Sequence, residues 1–235
     1  MTNVLLWILL LLVNFGLIIL AYRLFGKVGL YSWMAIAAIL ANIQVLKTVE
    51  LFGMVATLGN IIYGTSFLAT DILAENHDKK EAKRGVWIGF FSLVATVIIM
   101  TICLWFIPHE SDFAQSSLET IFSIMPRIAI ASLIAYLISN MHDIWAYNFW
   151  REKFSGFKNI WIRNNLSTIT SQLIDSIIFC SIAFIGVFEW NILWQIFITT
   201  FVIKIIVAIC DTPFVYLAAK WKLNKLLNLQ SQSEA

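Results

Sequence analysis

The chain has 235 residues, 60% of them apolar and only 13% charged, with a net charge of +2. Soluble domains are about a quarter charged, so this composition excludes one, and a mean hydropathy of +0.83 places the chain in a membrane. Cys103, Cys180 and Cys210 stand isolated in apolar runs, which excludes a disulfide framework and a metal cluster.

The first apolar run, MTNVLLWILLLLVNFGLIILAY, lacks a basic leader and is about as long as a full span, so it reads as a retained helix and not a cleaved signal. Further spans of about 20 apolar residues follow near 29–46, 52–73, 86–107, 121–145, 167–188 and 192–218, after the first at 4–22. The expected fold is all-α, a single bundle of seven transmembrane helices over residues 1–235. No segment alternates as a barrel strand does, and helices satisfy their own backbone in lipid. The junction LKTVE between the second and third spans is the least defined boundary. Trp7, Tyr31, Trp87, Trp105, Trp145, Trp161 and Trp190 stand near span ends, as an interfacial belt does.

Basic residues follow every second span: Arg23 and Lys27; Lys79, Lys80, Lys83 and Arg84; Arg151, Lys153, Lys158 and Arg163; Lys220, Lys222 and Lys225. The intervening loops PHESDFAQSSLET and FEWN carry none. The positive-inside rule makes the basic side cytoplasmic, with the N-terminus outside and the C-terminus inside a cell membrane. These loops also hold Glu75, Asp78, Glu81 and Glu152, so they are mixed in sign and read as topology signals, not as a nucleic-acid or lipid patch.

Charges inside spans are costly, at about 3 kcal/mol each on insertion scales, and mark pathways or pairs. Lys204 lies near the middle of the seventh span and Arg127 about two turns inside the fifth. Their acidic counterparts are Asp71, Asp143, Asp175 and Asp211. Helical spacing puts Asn60, Gly64, Phe67 and Asp71 on one stripe of the third span, with Tyr63 beside it and Glu75 one turn further. Ser132, Tyr136, Ser139 and Asp143 share a stripe of the fifth, and Thr168, Gln172 and Asp175 one of the sixth. Asn42 stands on the second among Ala35, Ala38 and Ala41, small residues that allow close packing. Two readings compete. These groups pair with one another, Asp175 with Lys204 in particular, or they line a cavity for a small polar solute. The number of stripes favours the cavity, because small residues and van der Waals packing suffice to hold membrane helices together.

Enzyme chemistry finds no support in the motifs. His77, His109 and His142 lack metal-ligand spacing, and there is no nucleophile elbow, P-loop or CxxC. Neither cofactor nor metal is indicated. Gly85 and Gly89 form a GxxxG, which suggests helix packing.

The stretch YGTSFLATDILAE followed by a basic run resembles the signature of the queuosine precursor transporter family, also called the vitamin uptake transporter family. AAILANIQ, RIAIASLIAYLISNMHD (127–143), NNLSTITSQLIDSIIF (164–179), Lys204 and DTPFVY (211–216) fit the same family in the same order. The resemblance covers about residues 30–220 and implies a six-helix core, with residues 1–24 as an added N-terminal helix. It further implies import of 7-deazaguanines, the cyano and aminomethyl precursors or queuine, for modification of the tRNA wobble base. A deazaguanine has an amidine-like N–H edge for an aspartate or asparagine, a flat ring for an aromatic and a carbonyl that needs a donor. The expected binding residues are therefore Asn42, Tyr63, Phe67, Asp71, Arg127, Asp143, Gln172, Asp175 and Lys204. The expected partners are this small molecule and membrane lipid, with a homo-oligomer left open and no nucleic acid bound. The alternative is a substrate-binding subunit of an ATP-driven vitamin importer, with Ala37 and Ala41 on a docking face.

Overall fold

The computed structural model describes residues 2–51, 54–122, 126–186 and 189–233. Helix α1 (Thr2–Phe25) and α2 (Lys27–Gln44) precede a small antiparallel hairpin of β1 (Thr48–Leu51) and β2 (Met54–Thr57). Then come α3 (Gly59–Asn76), α4 (Lys79–Cys103), the short α5 (Gln115–Phe122), α6 (Pro126–Lys153), α7 (Ile160–Phe184) and α8 (Trp190–Ser233). The fold is an all-α bundle, and it is apolar on the outside. Leu9, Phe91, Ile99, Trp194 and Ile209 are exposed, while Asp71, Asp175, Gln172 and Lys204 are buried. That inversion is what lipid as solvent selects.

Among the described residues, four helices are by themselves long and apolar enough to cross a membrane: Asn3–Phe25, Lys79–Cys103, Phe157–Phe184 and Leu193–Leu223. Helix α3 is more polar and is buried along nearly its whole length by its neighbours. Packed between α2, α4, α6 and α8, it is the axis around which the polar interior is built.

The hairpin corrects the expected boundaries. The third span starts at Gly59, not near 52, and strand pairing of Thr48 with Thr57 and Leu51 with Met54 occupies the preceding stretch. Residues 52–53, where that span was expected to begin, lie outside the described ones, as do 123–125 of the fifth. An apolar run rich in Thr and Val suits a strand as well as a helix when it is this short. The run after Asp78 is also helical. Asp78 caps α4 by accepting the Glu81 backbone N–H at 2.8 Å, so Lys79–Arg84 form its first turns and not a loop. That backbone donor holds the Asp78 carboxyl below the usual range.

Helix α1 docks through Trp7, Leu11, Phe15 and Ile18, with the Phe15 ring 4.7 Å from Phe214 of α8. The GxxxG of α4 is a packing device. A Cβ on Gly85 would meet Met34 of α2, and one on Gly89 would stand 2.1 Å from the Tyr136 hydroxyl of α6. Gly89→Ala is therefore expected to displace Tyr136 and destabilise by about 1–3 kcal/mol. A thermal melt in detergent checks this, and an unchanged melt would mean that the ring yields freely.

Candidate polar site in the bundle interior

Three polar layers stack along the axis, and α3 spaces them. Tyr63 and Asp71 are eight residues apart, about 12 Å of helix, and Glu75 lies about 6 Å further.

The layer nearest the hairpin centres on Asp175 of α7. Its Oδ2 accepts from the Lys204 ammonium of α8, and its Oδ1 from the Tyr63 hydroxyl of α3. The Ser139 hydroxyl of α6 also donates to Oδ1, at 3.1 Å. One carboxylate thus ties four helices together. The expected pairing of Asp175 with Lys204 is present, and Lys204 lies 5.0 Å from the Tyr63 ring centroid, where the ring face attracts a cation. Both charges are almost fully buried, at 3% and 4% side-chain exposure.

A pocket opens over this network, lined by Ala41, Asn42, Gly59, Asn60, Tyr63, Ser132, Phe179 and the Asp175–Lys204 pair. Its enclosed space is small, about 40 Å³, and it is open at its mouth. Gly59 lets α3 pass close to α2, since a Cβ there would lie 2.7 Å from the Ala41 carbonyl oxygen. Asn42 donates to the Ala38 carbonyl at 3.0 Å, which leaves its side-chain oxygen unused by that bond. The buried Asn60 amide nitrogen has no hydrogen-bond partner. Donors, acceptors and two aromatic rings therefore meet in one space, as recognition of a flat polar molecule requires.

The second layer holds three aspartates on three helices. Asp71 Oδ2 accepts from Thr168 at 3.1 Å, Asp143 Oδ2 from Thr70 at 3.1 Å, and Asp211 Oδ1 from the Asn164 amide at 2.8 Å. The third layer closes the other end. Arg163 is 2% exposed and donates to Glu75 at 2.6 Å, to the carbonyls of Phe154 and Gly156 at 3.1 and 2.9 Å, and to Tyr147 at 3.4 Å.

Of the residues expected to bind, Asn42, Tyr63, Asp175 and Lys204 converge on the pocket. Phe67 stands behind Tyr63, ring to ring at 5.7 Å. Gln172 is fully buried, one turn from both Thr168 and Asp175, and neither of its amide atoms has a hydrogen-bond partner. Asp71 and Asp143 are in the second layer, not in the pocket lining. Arg127 lines neither. Helix α6 begins at Pro126, so Arg127 is exposed in its first turn, not two turns deep, and donates to the Ile182 and Ile185 carbonyls at 2.6 Å each. A cation there neutralises the carbonyl end of α7. Sequence reasoning missed Arg163, counted as a loop charge, whereas Ser139 and Asn60, which join the pocket layer, were already on the polar stripes.

A family model described as "Putative vitamin uptake transporter" matches residues 57–218. A protein of Bacillus subtilis (strain 168) named "Probable queuosine precursor transporter" is 43% identical over 214 residues, 91% of this chain and 93% of that protein. One of the same name from Haemophilus influenzae is 27% identical over 134 residues, 57% of this chain and 54% of that protein. No solved structure matches the chain.

Proposed function

Since the chain belongs to the putative vitamin uptake transporter family, we propose that it imports queuosine precursors, the 7-deazaguanines or queuine used in tRNA modification. The observation that carries the reading is the pocket over Asp175 and Lys204. Asp175 accepts from an amidine-like N–H edge, Lys204 donates to a ring carbonyl, and Tyr63 and Phe179 cover the ring plane. In the structure as it stands these polar groups satisfy one another. A bound deazaguanine replaces those internal bonds with its own, which lets the four helices shift around it. Asn42 and Asn60 supply further polar contacts at the rim.

Two experiments test the reading. Expression of the chain should restore queuosine to the tRNA of a cell that cannot make the precursor. Purified protein should bind an aminomethyl- or cyano-deazaguanine, and excess guanine should compete weakly. Absence of both effects rejects the assignment. Import by the chain alone in vesicles separates it from a binding subunit that needs an ATPase. The residues offered for docking to such a partner, Ala37 and Ala41, are buried inside the bundle.

We place seven spans across the membrane with the basic end in the cytoplasm. Arg23, Lys27, Arg151, Arg163 and Lys222 gather at one end of the bundle through contacts with Trp221, Glu81 and Glu75. A reporter inserted near Ser111 should therefore read external, and one fused after Ala235 cytoplasmic. A cytoplasmic reading at Ser111 would overturn this orientation.

A further inference from the structure

We propose that Asp71, Asp143 and Asp211 form a proton-binding site, distinct from the pocket, through which inward proton movement drives uptake. The cargo is taken from the transport reading above, on which this inference rests. The proton site itself rests on what surrounds the three carboxylates. All three are at most 1% exposed, and they accept from neutral donors, the Thr168 and Thr70 hydroxyls and the Asn164 amide. Asp71 Oδ1, Asp143 Oδ1 and Asp211 Oδ2 have no partner.

A residue outside the carboxylate set points the same way. Asn164 is fully buried, and its amide nitrogen is held on Asp211, yet its own Oδ1 has no donor. The three carboxylates and Asn164 each therefore lack a donor, while Gln172, one turn from Thr168, also keeps an unpartnered amide nitrogen. What these acceptors lack is hydrogen or positive charge, and among the described residues neither of the flanking buried cations is free to supply it. Lys204 is committed to Asp175 in the layer above, and Arg163 to Glu75, Tyr147 and two backbone carbonyls in the layer below.

The groups facing the layer come from every helix around it. Helix α3 presents Asp71 with Glu75 one turn on. Helix α6 presents Asp143, Tyr147 and His142, whose Nδ1 is 2.9 Å from Ser171 Oγ. Helix α7 presents Arg163 and the neutral Asn164 and Thr168, and α8 presents Asp211 with Cys210 beside it. Thr70, which donates to Asp143, directly precedes Asp71 on α3, so the two carboxyl groups are neighbours across the α3–α6 contact and can hold one proton between them.

The geometry also explains coupling. The helices that meet at Asp175 each contribute to this second layer: Tyr63 and Asp71 from α3, Ser139 and Asp143 from α6, Asp175 and Thr168 from α7, Lys204 and Asp211 from α8. A helix shift that admits cargo above must repack the carboxylates below. A carboxylate takes a proton from hydronium on the pocket side, where the donor's O–H bond breaks as the carboxyl O–H forms, and returns it on the basic side, where the carboxyl O–H breaks as water becomes hydronium.

The test uses the full chain in vesicles with a trapped pH dye and an aminomethyl-deazaguanine. An inward proton gradient should raise uptake at least tenfold, a protonophore should abolish the gain, and the dye should record proton entry with cargo. Asp71→Asn and Asp143→Asn should lower the ratio of protons to cargo, whatever they do to the rate. A second readout needs no cargo. The carboxyl C=O stretch in infrared pH-difference spectra should be present in the wild type and diminished in each variant, with Asp211→Asn as the third member should one of the others fail to fold. An unchanged proton-to-cargo ratio with an unchanged infrared band overturns the proposal. So does uptake driven by a sodium gradient and indifferent to pH. Failure of the wild type to bind any deazaguanine counts against the transport reading, while the infrared test still decides the proton site.

Discussion

Lys204→Met is expected to destabilise the protein by about 3–5 kcal/mol, because it leaves the buried Asp175 carboxylate without its cation. Tyr63 and Ser139 still donate to that carboxylate, but neutral donors do not replace a counter-charge in a bilayer. Asp175→Asn should cost a similar amount by leaving the ammonium unpaired. The double variant removes both charges, and the asparagine amide oxygen can still accept from Ser139 and Tyr63. Its stability should therefore return to within about 1–2 kcal/mol of wild type, which makes the two substitutions strongly non-additive. Uptake should not return with it. A pocket built to hydrogen-bond a polar edge loses about 1–3 kcal/mol for each partner removed, a tenfold to hundredfold drop in affinity. Melting curves of the two singles and the double, set beside deazaguanine binding, separate the two effects. A double variant as unstable as the sum of the singles would deny the pair an energetic role. Recovery of binding in the double would move the cargo away from Asp175.

The contrast between that pair and Arg127 shows how far one-dimensional spacing reaches. Asp175 and Lys204 could be matched in the sequence because both fall near mid-span and no other lysine does. Asp71, Asp143, Gln172 and Asp175 were visible for the same reason, as polar groups on helical stripes that lipid would reject. Depth along the axis was less legible. Stripes show which face a residue shares but not which partner helix meets it at that height, so residues of the pocket and of the carboxylate layer were read as one set. Arg127 was misplaced because its helix starts at Pro126, and an apolar run does not reveal where its first turn lies. The hairpin at 48–57 was hidden by the same ambiguity of a short apolar run. Arg163 was hidden by its company. With Arg151, Lys153 and Lys158 before it, a fourth basic residue reads as a topology signal, and only folding shows that it turns inward.

That inward turn carries the second large effect. Arg163→Leu should cost about 3–5 kcal/mol, since it strands Glu75, whose side chain is 14% exposed, and leaves the Phe154 and Gly156 carbonyls without this donor. Arg151 lies 3.9 Å from Glu75, and Lys222 approaches the Glu75 carbonyl at 3.5 Å, but both are nearer the surface and offer only partial compensation. Arg163→Lys is the informative partner. It keeps the charge opposite Glu75 but not the planar fork that reaches a carboxylate and two carbonyls at once, so it should recover only part of the loss. The functional consequence follows from what the fork joins. It holds α3, α7 and the α6–α7 connection together at the basic end, beneath a pocket that lies toward the hairpin end. Passage of cargo to the basic side requires these contacts to separate, so a weakened fork should favour the state open on that side. A cysteine placed at Ser155 of the loop should accordingly react faster with a water-soluble maleimide in Arg163→Lys than in wild type, with addition of a deazaguanine raising the wild-type rate. Equal rates in both proteins, with and without cargo, would make the fork a structural brace and place the closing contacts elsewhere.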